Sequence, residues 1–202
     1  MSRKDRVPSR KAPRQERARA TVNAIVLAAA HILRSEGLAA VTTNRIAEVA
    51  GVSIGSLYQY FPNKEGVLGE LRERYSEWFK AELHRGIERG AALPLREGIR
   101  ASLARMIELQ TADPGLHRQV TETRSPLTPE EFAVFRQRTA EYIRENSRAL
   151  RPLDPELAAV IITRSSEALV HGLVRDEPEW VEHPAFIDEV TELVLGYLAP
   201  RP

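Results

Sequence analysis

The chain has no cysteine among its 202 residues. That excludes a disulfide framework, a thiolate metal site and a cysteine nucleophile, and fits a reducing, cytoplasmic setting. Long hydrophobic runs are missing too. The longest, Ala24 to Ala30, is far short of the roughly 18 residues a membrane helix requires, and no apolar segment follows the basic N-terminus as in a signal peptide. Alternation of the kind a half-buried strand shows is absent, and so is any internal repeat. Only 6% of residues are aromatic, and His31, His84, His117, His171 and His183 include no pair at metal-ligand spacing on one helix. No glycine loop cradles a phosphate and no Ser/His/Asp set stands out, so neither an enzyme nor a cofactor is expected. With 43% apolar and 28% charged residues, the chain can still build a packed soluble core.

What is present is unevenly placed. Residues 1–64 hold eleven Lys/Arg against four acids, whereas residues 65–202 hold eighteen against twenty-four. A basic front on an acidic body suggests one end that binds a polyanion. Residues 1–19 have two prolines, many arginines and little apolar periodicity, and read as a flexible basic arm.

Helical patterning begins at Thr21, where Val22, Ile25, Ala28, Ala29, Ile32 and Leu33 share one face, and Gly37 suits a left-handed cap. Thr42 or Thr43 caps a short helix to Ala50, and Gly51 breaks it. Ser53 caps another short helix to Phe61, stopped by Pro62. Further helices are expected from Asn63 to about Arg89, Pro94 to Thr111, Thr128 to Ala149, Asp154 to Arg175 and His183 to Leu198. Thr128-Pro129-Glu130-Glu131 is a capping box, and most prolines stand at helix starts, where their missing N–H costs nothing. The fold class is all-α, with some nine helices. Residues 20–66 form a three-helix unit and residues 67–202 a helical body.

Residues 37–64 read GLAAVTTNRIAEVAGVSIGSLYQYFPNK. Two short helices around a Gly-containing turn make a helix-turn-helix, whose second helix lies in the DNA major groove. Ile46, Val49, Val52 and Leu57 are expected to pack this unit. Ile54, Gly55, Ser56, Gln59 and Tyr60 are left on the outer side. Gly55 permits close backbone approach, Gln59 matches the edge of adenine and Ile54 a thymine methyl. Thr43, Tyr58 and Lys64 are placed to reach phosphates.

The stretch Thr21 to Leu71 resembles the DNA-binding domain of the TetR family of bacterial regulators. The resemblance rests on Gly37 to Thr42, Ile46-Ala47, Ala50-Gly51-Val52-Ser53, Leu57-Tyr58-x-Tyr60-Phe61 and Asn63-Lys64-Glu65. It implies a sequence-specific regulator, most often a repressor, that binds an inverted-repeat duplex operator as a homodimer and is released by a small-molecule effector. It also implies that Thr42 and Thr43 touch phosphates, that Asn44 touches a phosphate or a base, and that Ser53 to Gln59 is the recognition helix. Tyr58, Tyr60 and Lys64 match backbone-contacting positions. Arginine is frequent at the place of Asn44, a departure that favours adenine over guanine.

In the body, Leu157, Ile161, Ser165, Ala168, Leu169 and Gly172 share one side of their helix. The last helix carries Phe186, Ile187, Val190, Leu193, Val194, Tyr197 and Leu198, an apolar face wider than one partner needs. Both helices are expected in a dimer interface, formed by Ile161, Ser165, Ala168, Leu169, Gly172, Phe186, Val190, Leu193, Val194 and Tyr197. Trp78, Met106, Phe132 and Phe135 are candidates for lining an effector pocket. Arg105, Arg124 and His117 could meet an anion, although each also reads as a surface or capping residue. The competing interpretation is an all-α protein-docking module with an incidental basic end.

Overall fold

The computed structural model describes residues 11–113, 115–117 and 127–200, with the side chains of residues 11–14 left aside. Residues 1–10 of the basic arm, Pro114 and Arg124 lie outside them. The described chain contains nine α-helices and one 3-10 turn, and no strand occurs among the described residues. Residues 115–117 are helical as well. The chain divides between Arg74 and Tyr75 into two compact units, eight residues beyond the boundary expected at 66/67.

In the N-terminal unit, α1 spans Lys11–Glu36. It starts eleven residues before Val22, the first periodic apolar position, so residues 11–19 are helical and not a flexible arm. Pro13 falls in the first turn, where its N–H would have no partner anyway, and Arg14 to Ala20 are mostly good helix formers. The expected apolar face is in place: Ile25, Ala28, Ala29, Ile32 and Leu33 are buried, joined by Val26. Gly37, at φ +81°, leads into a 3-10 turn, Leu38–Ala40, and Val41 is fully buried.

The Thr42 side chain accepts from the Arg45 N–H and starts α2, Thr43–Ala50. Gly51 ends it in the left-handed region at φ +66°. Its N–H donates to the Glu48 carbonyl and the Val52 N–H to the Ala47 carbonyl, at 3.1 and 3.0 Å. This is the doubly bonded C-terminal closure that favours glycine. Ser53 then caps α3, Ile54–Tyr58, by accepting from the Ser56 N–H. The helix is shorter than the sequence suggests, but the Phe61 N–H still reaches the Leu57 carbonyl at 3.0 Å, so the turn continues to Phe61. Asn63 caps α4, Lys64–Ala91, through the Gly66 N–H at 2.9 Å.

The C-terminal unit, from Tyr75, comprises the rest of α4, then α5, Leu95–Thr111, and α6, Pro129–Glu145, which opens with the complete Thr128/Glu131 capping box. After it come α7, Pro155–Asp176, the one-turn α8, Pro178–Val181, and α9, Phe186–Leu198. Apolar clusters of described residues help to hold this unit together. One gathers Leu103, Ile107, Val170, Val181 and Val190. Another gathers Ile143, Leu150, Ala158, Val194 and Leu198. A buried polar relay accompanies them. The Tyr75 hydroxyl lies 2.8 Å from His117 Nδ1, the rings of His117 and His171 meet edge-on at 5.7 Å, and His171 Nδ1 is 3.3 Å from Gln110 Oε1.

By length and composition α7 could cross a membrane, and only 22% of its apolar window is buried by the chain itself.

Candidate nucleic-acid interface and ligand cavity

The helix-turn-helix is anchored by a few deeply buried side chains. Ile46 and Leu57 are fully buried, and Ala47 and Phe61 nearly so. Val49, expected between the helices, is 37% exposed instead. An eight-residue helix packed against α1 needs only its 46/47 edge inside, and Val49 falls beyond it. Val52 is half-buried.

Every residue expected at DNA is at the surface. Thr42, Asn44, Ser53, Ile54, Gly55, Tyr58, Gln59 and Tyr60 are exposed, and Thr43, Ser56 and Lys64 are partly so. The two helices are also tied to each other across that surface, since Thr43 Oγ1 lies 3.3 Å from the Tyr58 hydroxyl. Ser53 and Ser56 share a hydrogen bond of 2.8 Å between their hydroxyls. The side chains of Asn44, Gln59 and Tyr60 have no bond of this kind among the described residues, so their polar atoms face solvent.

One residue the sequence reading passed over organises the surface. Arg45 donates through Nε and Nη2 to Glu36, at 3.3 and 2.8 Å, and its Nη1 meets Glu48 at 2.9 Å. These carboxylates push the guanidinium pKa further up, and the arginine lowers that of Glu36. Arg45 therefore clips the end of α1 to α2, and its charge is already answered next to Asn44. No spacing rule marks it, because Glu36 lies on another helix. At the other end of the unit, Arg74 Nη1 donates to Asn23 Oδ1 at 2.6 Å and joins α1 to α4. Residues 15–17, 19 and 20 of α1 are exposed, placing Arg17 and Arg19 in solvent on a helix.

The C-terminal unit carries a half-open cavity of about 490 Å³, within the range that takes drug-sized molecules. Met106, Phe132 and Phe135 are among its lining residues. Trp78, a candidate from the sequence, is not: it is 43% exposed and rests on Tyr75, with centroids 5.6 Å apart. Tyr142, another aromatic of α6, also lines the cavity, together with four glutamates that no apolar spacing marks in the sequence. Of the cations considered for an anion, Arg105 is held by Glu82 at 2.5 Å and Glu108 at 2.8 Å. His117 is buried in the relay, its pKa lowered to about 4 by burial and then by His171.

The candidate dimer residues separate into two sets. Ile161, Ala168 and Leu193 are exposed, and Ser165 and Gly172 partly so. Val190 and Val194 point into the subunit core, and Leu169 and Phe186 pack on it. Tyr197 lies under the Arg151 guanidinium, 4.6 Å from its ring centroid. The helices are as expected, but the solvent-facing stripe is Leu157, Val160, Ile161 and Ala168 on α7, with Leu193 on α9. No group of three or more potential metal ligands occurs among the described residues.

Comparison with known proteins agrees with this geometry. Residues 25–71 match the model for bacterial regulatory proteins of the tetR family. Residues 94–198, more than half of the chain, match that for the tetracyclin repressor-like C-terminal domain. The nucleoid occlusion factor SlmA of Haemophilus ducreyi is 34% identical over 91 residues, or 45% of this chain. The match spans less than half of that relative, 44% of its length. Among solved structures, SmeT, the repressor of the Stenotrophomonas maltophilia multidrug efflux pump SmeDEF, is 25% identical with a TM-score of 0.61, over 91% of this chain and 92% of SmeT. SmeT in complex with triclosan is similar, at 24% identity and a TM-score of 0.58 over 90% and 92% of the two chains.

Proposed function

The chain belongs to the TetR family of bacterial regulatory proteins and is a DNA-binding regulator, and on that premise we propose that it is a homodimeric repressor released by a small molecule. In this reading α3 enters the major groove and presents Ile54, Gly55, Ser56 and Gln59 to base edges. Thr42, Thr43, Tyr58, Tyr60 and Lys64 hold the phosphates on either side, and Asn44 reads a base or a phosphate. The observation that carries the reading is the surface of the N-terminal unit: eleven accessible residues of DNA-compatible chemistry lie around a five-residue helix fixed by one buried leucine.

Dimerisation is supported by α7. The apolar residues that α7 leaves exposed, Leu157, Val160 and Ile161, offer a face to another cover. Arg164 and Glu167 stand near its middle, where a bilayer would penalise both charges, so a second copy fits better than a membrane and the chain is read as cytoplasmic. The exposed stripe of α7 and Leu193 of α9 would meet their symmetry mates.

Release by an effector is supported by α4. The helix begins at Lys64, just after the recognition helix, and its last turns, from Leu83 to Ala91, line the cavity. A ligand that favours one placement of α4 shifts the population of DNA-competent dimers. The SmeT–triclosan complex is a precedent for a small ligand in this fold.

The test is a titration of the full chain onto a duplex carrying its selected operator. Two protomers per inverted repeat are expected, with Tyr60→Ala and Lys64→Ala weakening binding while leaving the dimer intact. A monomer on the duplex, or variants that bind like the parent, contradicts the reading.

A further inference from the structure

The chemistry of the cavity lining narrows what it can hold. Glu88, Glu141, Glu145 and Glu167 contribute carboxylates, against one cation, Arg138. That arginine is paired with Glu88 at 3.4 Å. Glu141 accepts a hydrogen bond from a neutral group, Gln137 Nε2, at 2.9 Å. Glu141, Glu145 and Glu167 have no ion pair among the described residues. Among the described residues the lining therefore carries more negative charge than is paired.

Three neutral groups of the lining turn a donor toward their own helices. Thr139 donates its hydroxyl proton to the Phe135 carbonyl at 2.9 Å, and Thr163 donates to the Ala159 carbonyl at 2.7 Å. Asn146 directs Nδ2 at the Tyr142 carbonyl, also at 2.9 Å. Each has committed a donor to its own helix, while Ser102, Ser166 and Tyr142 of the lining keep hydroxyls that can donate or accept. Leu83, Ile87, Leu103, Met106 and Ile162 supply apolar walls. An anion would meet like charge in this space. A neutral guest would leave Glu141, Glu145 and Glu167 without an ion pair; Glu88, Glu141 and Glu145 are exposed and Glu167 is half-buried. A cation with N–H groups forms charge-assisted hydrogen bonds with such carboxylates.

We propose that the cavity takes an amphipathic organic cation bearing N–H donors, a protonated amine or amidine on an apolar body. For its effect on DNA the proposal rests on the effector-released reading, but occupancy of the cavity is measurable without DNA.

Full-length protein is titrated calorimetrically with decylammonium, decyltrimethylammonium, 1-decanol and decanoate, which share one chain length and differ in the head. Decylammonium is expected to bind at least about tenfold more tightly than 1-decanol, with decanoate weakest and the trimethylated head below the primary amine. Glu145→Gln combined with Glu167→Gln should remove most of the amine's advantage. Binding of 1-decanol should stay within about twofold, which also shows that the cavity is intact. Decanol or decanoate binding as well as the amine overturns the proposal, as does an unchanged preference in the double variant, or no binding by any of the four. A preference for the trimethylated head overturns the N–H requirement. Operator binding is then followed with decylammonium present. If the head preference holds while the DNA affinity does not move, effector release fails and the cavity's specificity stands. If operator binding is intact but no cation binds, the reverse holds.

Discussion

The hydroxyl of Thr43, in the first turn of α2, lies 3.3 Å from the phenol oxygen of Tyr58, in the last turn of α3. The contact fixes the angle between the two short helices from the outside, while Ile46 and Leu57 fix it from within. Tyr58 is 53% exposed, so the same hydroxyl is accessible to a phosphate. Tyr58→Phe keeps the ring and removes both roles. DNA affinity is expected to fall by up to about tenfold, the worth of one or two hydrogen bonds, with little change in Tm. Fluorescence anisotropy on the selected operator, with a thermal melt alongside, checks this.

Gly51 adopts φ +66°, and an added Cβ would meet nothing within 4 Å. The cost of Gly51→Ala is therefore conformational alone, about 1–2 kcal/mol, and Gly51→Asn should cost less. Denaturant titration of the three proteins orders them.

At Gly98 the reverse applies. A Cβ there would collide with the Gly90 carbonyl oxygen, and one at Gly90 would lie 2.8 Å from the Gly98 carbonyl oxygen. Both obstacles are backbone, so α4 and α5 must separate. Gly98→Ala is expected to destabilise the protein by about 3 kcal/mol, more than Gly51→Ala, and calorimetric melting decides the order.

Burial keeps His117 neutral, with its pKa lowered to about 4 from an ordinary value of 6.5. The unfolded chain takes up that proton below pH 6.5 and the folded chain does not until about pH 4. Stability is therefore intact above pH 6.5 and is lost as pH falls through this window, by about 2 kcal/mol at pH 5. His171, also lowered, works in the same direction. His117→Gln should flatten the dependence of Tm on pH between 7 and 5.

Leu157 is 59% exposed and Ile161 40% exposed, one turn apart on α7. Glu at both positions is expected to leave the subunit fold unchanged, judged by circular dichroism, and to convert the dimer to a monomer in analytical ultracentrifugation. A dimer that survives both changes would place the interface elsewhere.

Helix starts were the most legible part of the fold. Thr42, Ser53, Asn63, Thr128 and Asp154 each accept from the backbone N–H three residues on, a bond decided within four residues of sequence. Faces were harder where a helix is apolar nearly all round. In α9, Val190 and Val194 turn inward and Leu193 outward, and only the neighbours of the helix determine which. The same reason exposes Val49 and Trp78. The start of α1 was misread because Pro13 and the arginines lack apolar periodicity, although neither opposes a helix at its first turns. The exposure of the candidate DNA-facing positions was legible from Ile46 and Leu57, whereas Ala47 and Phe61 anchor the unit in place of Val49 and Val52. Arg45 was not, since its role needs Glu36 from α1 beside it.

Selection of binding sites by the intact protein, from a random duplex pool at near-physiological salt, tests the central claim most directly. An inverted repeat is expected, with half-site centres one helical turn or a multiple of it apart, and its enrichment should be lost when Gln59 and Tyr60 are both replaced by alanine. A folded, dimeric sample that enriches no sequence would contradict sequence-specific regulation.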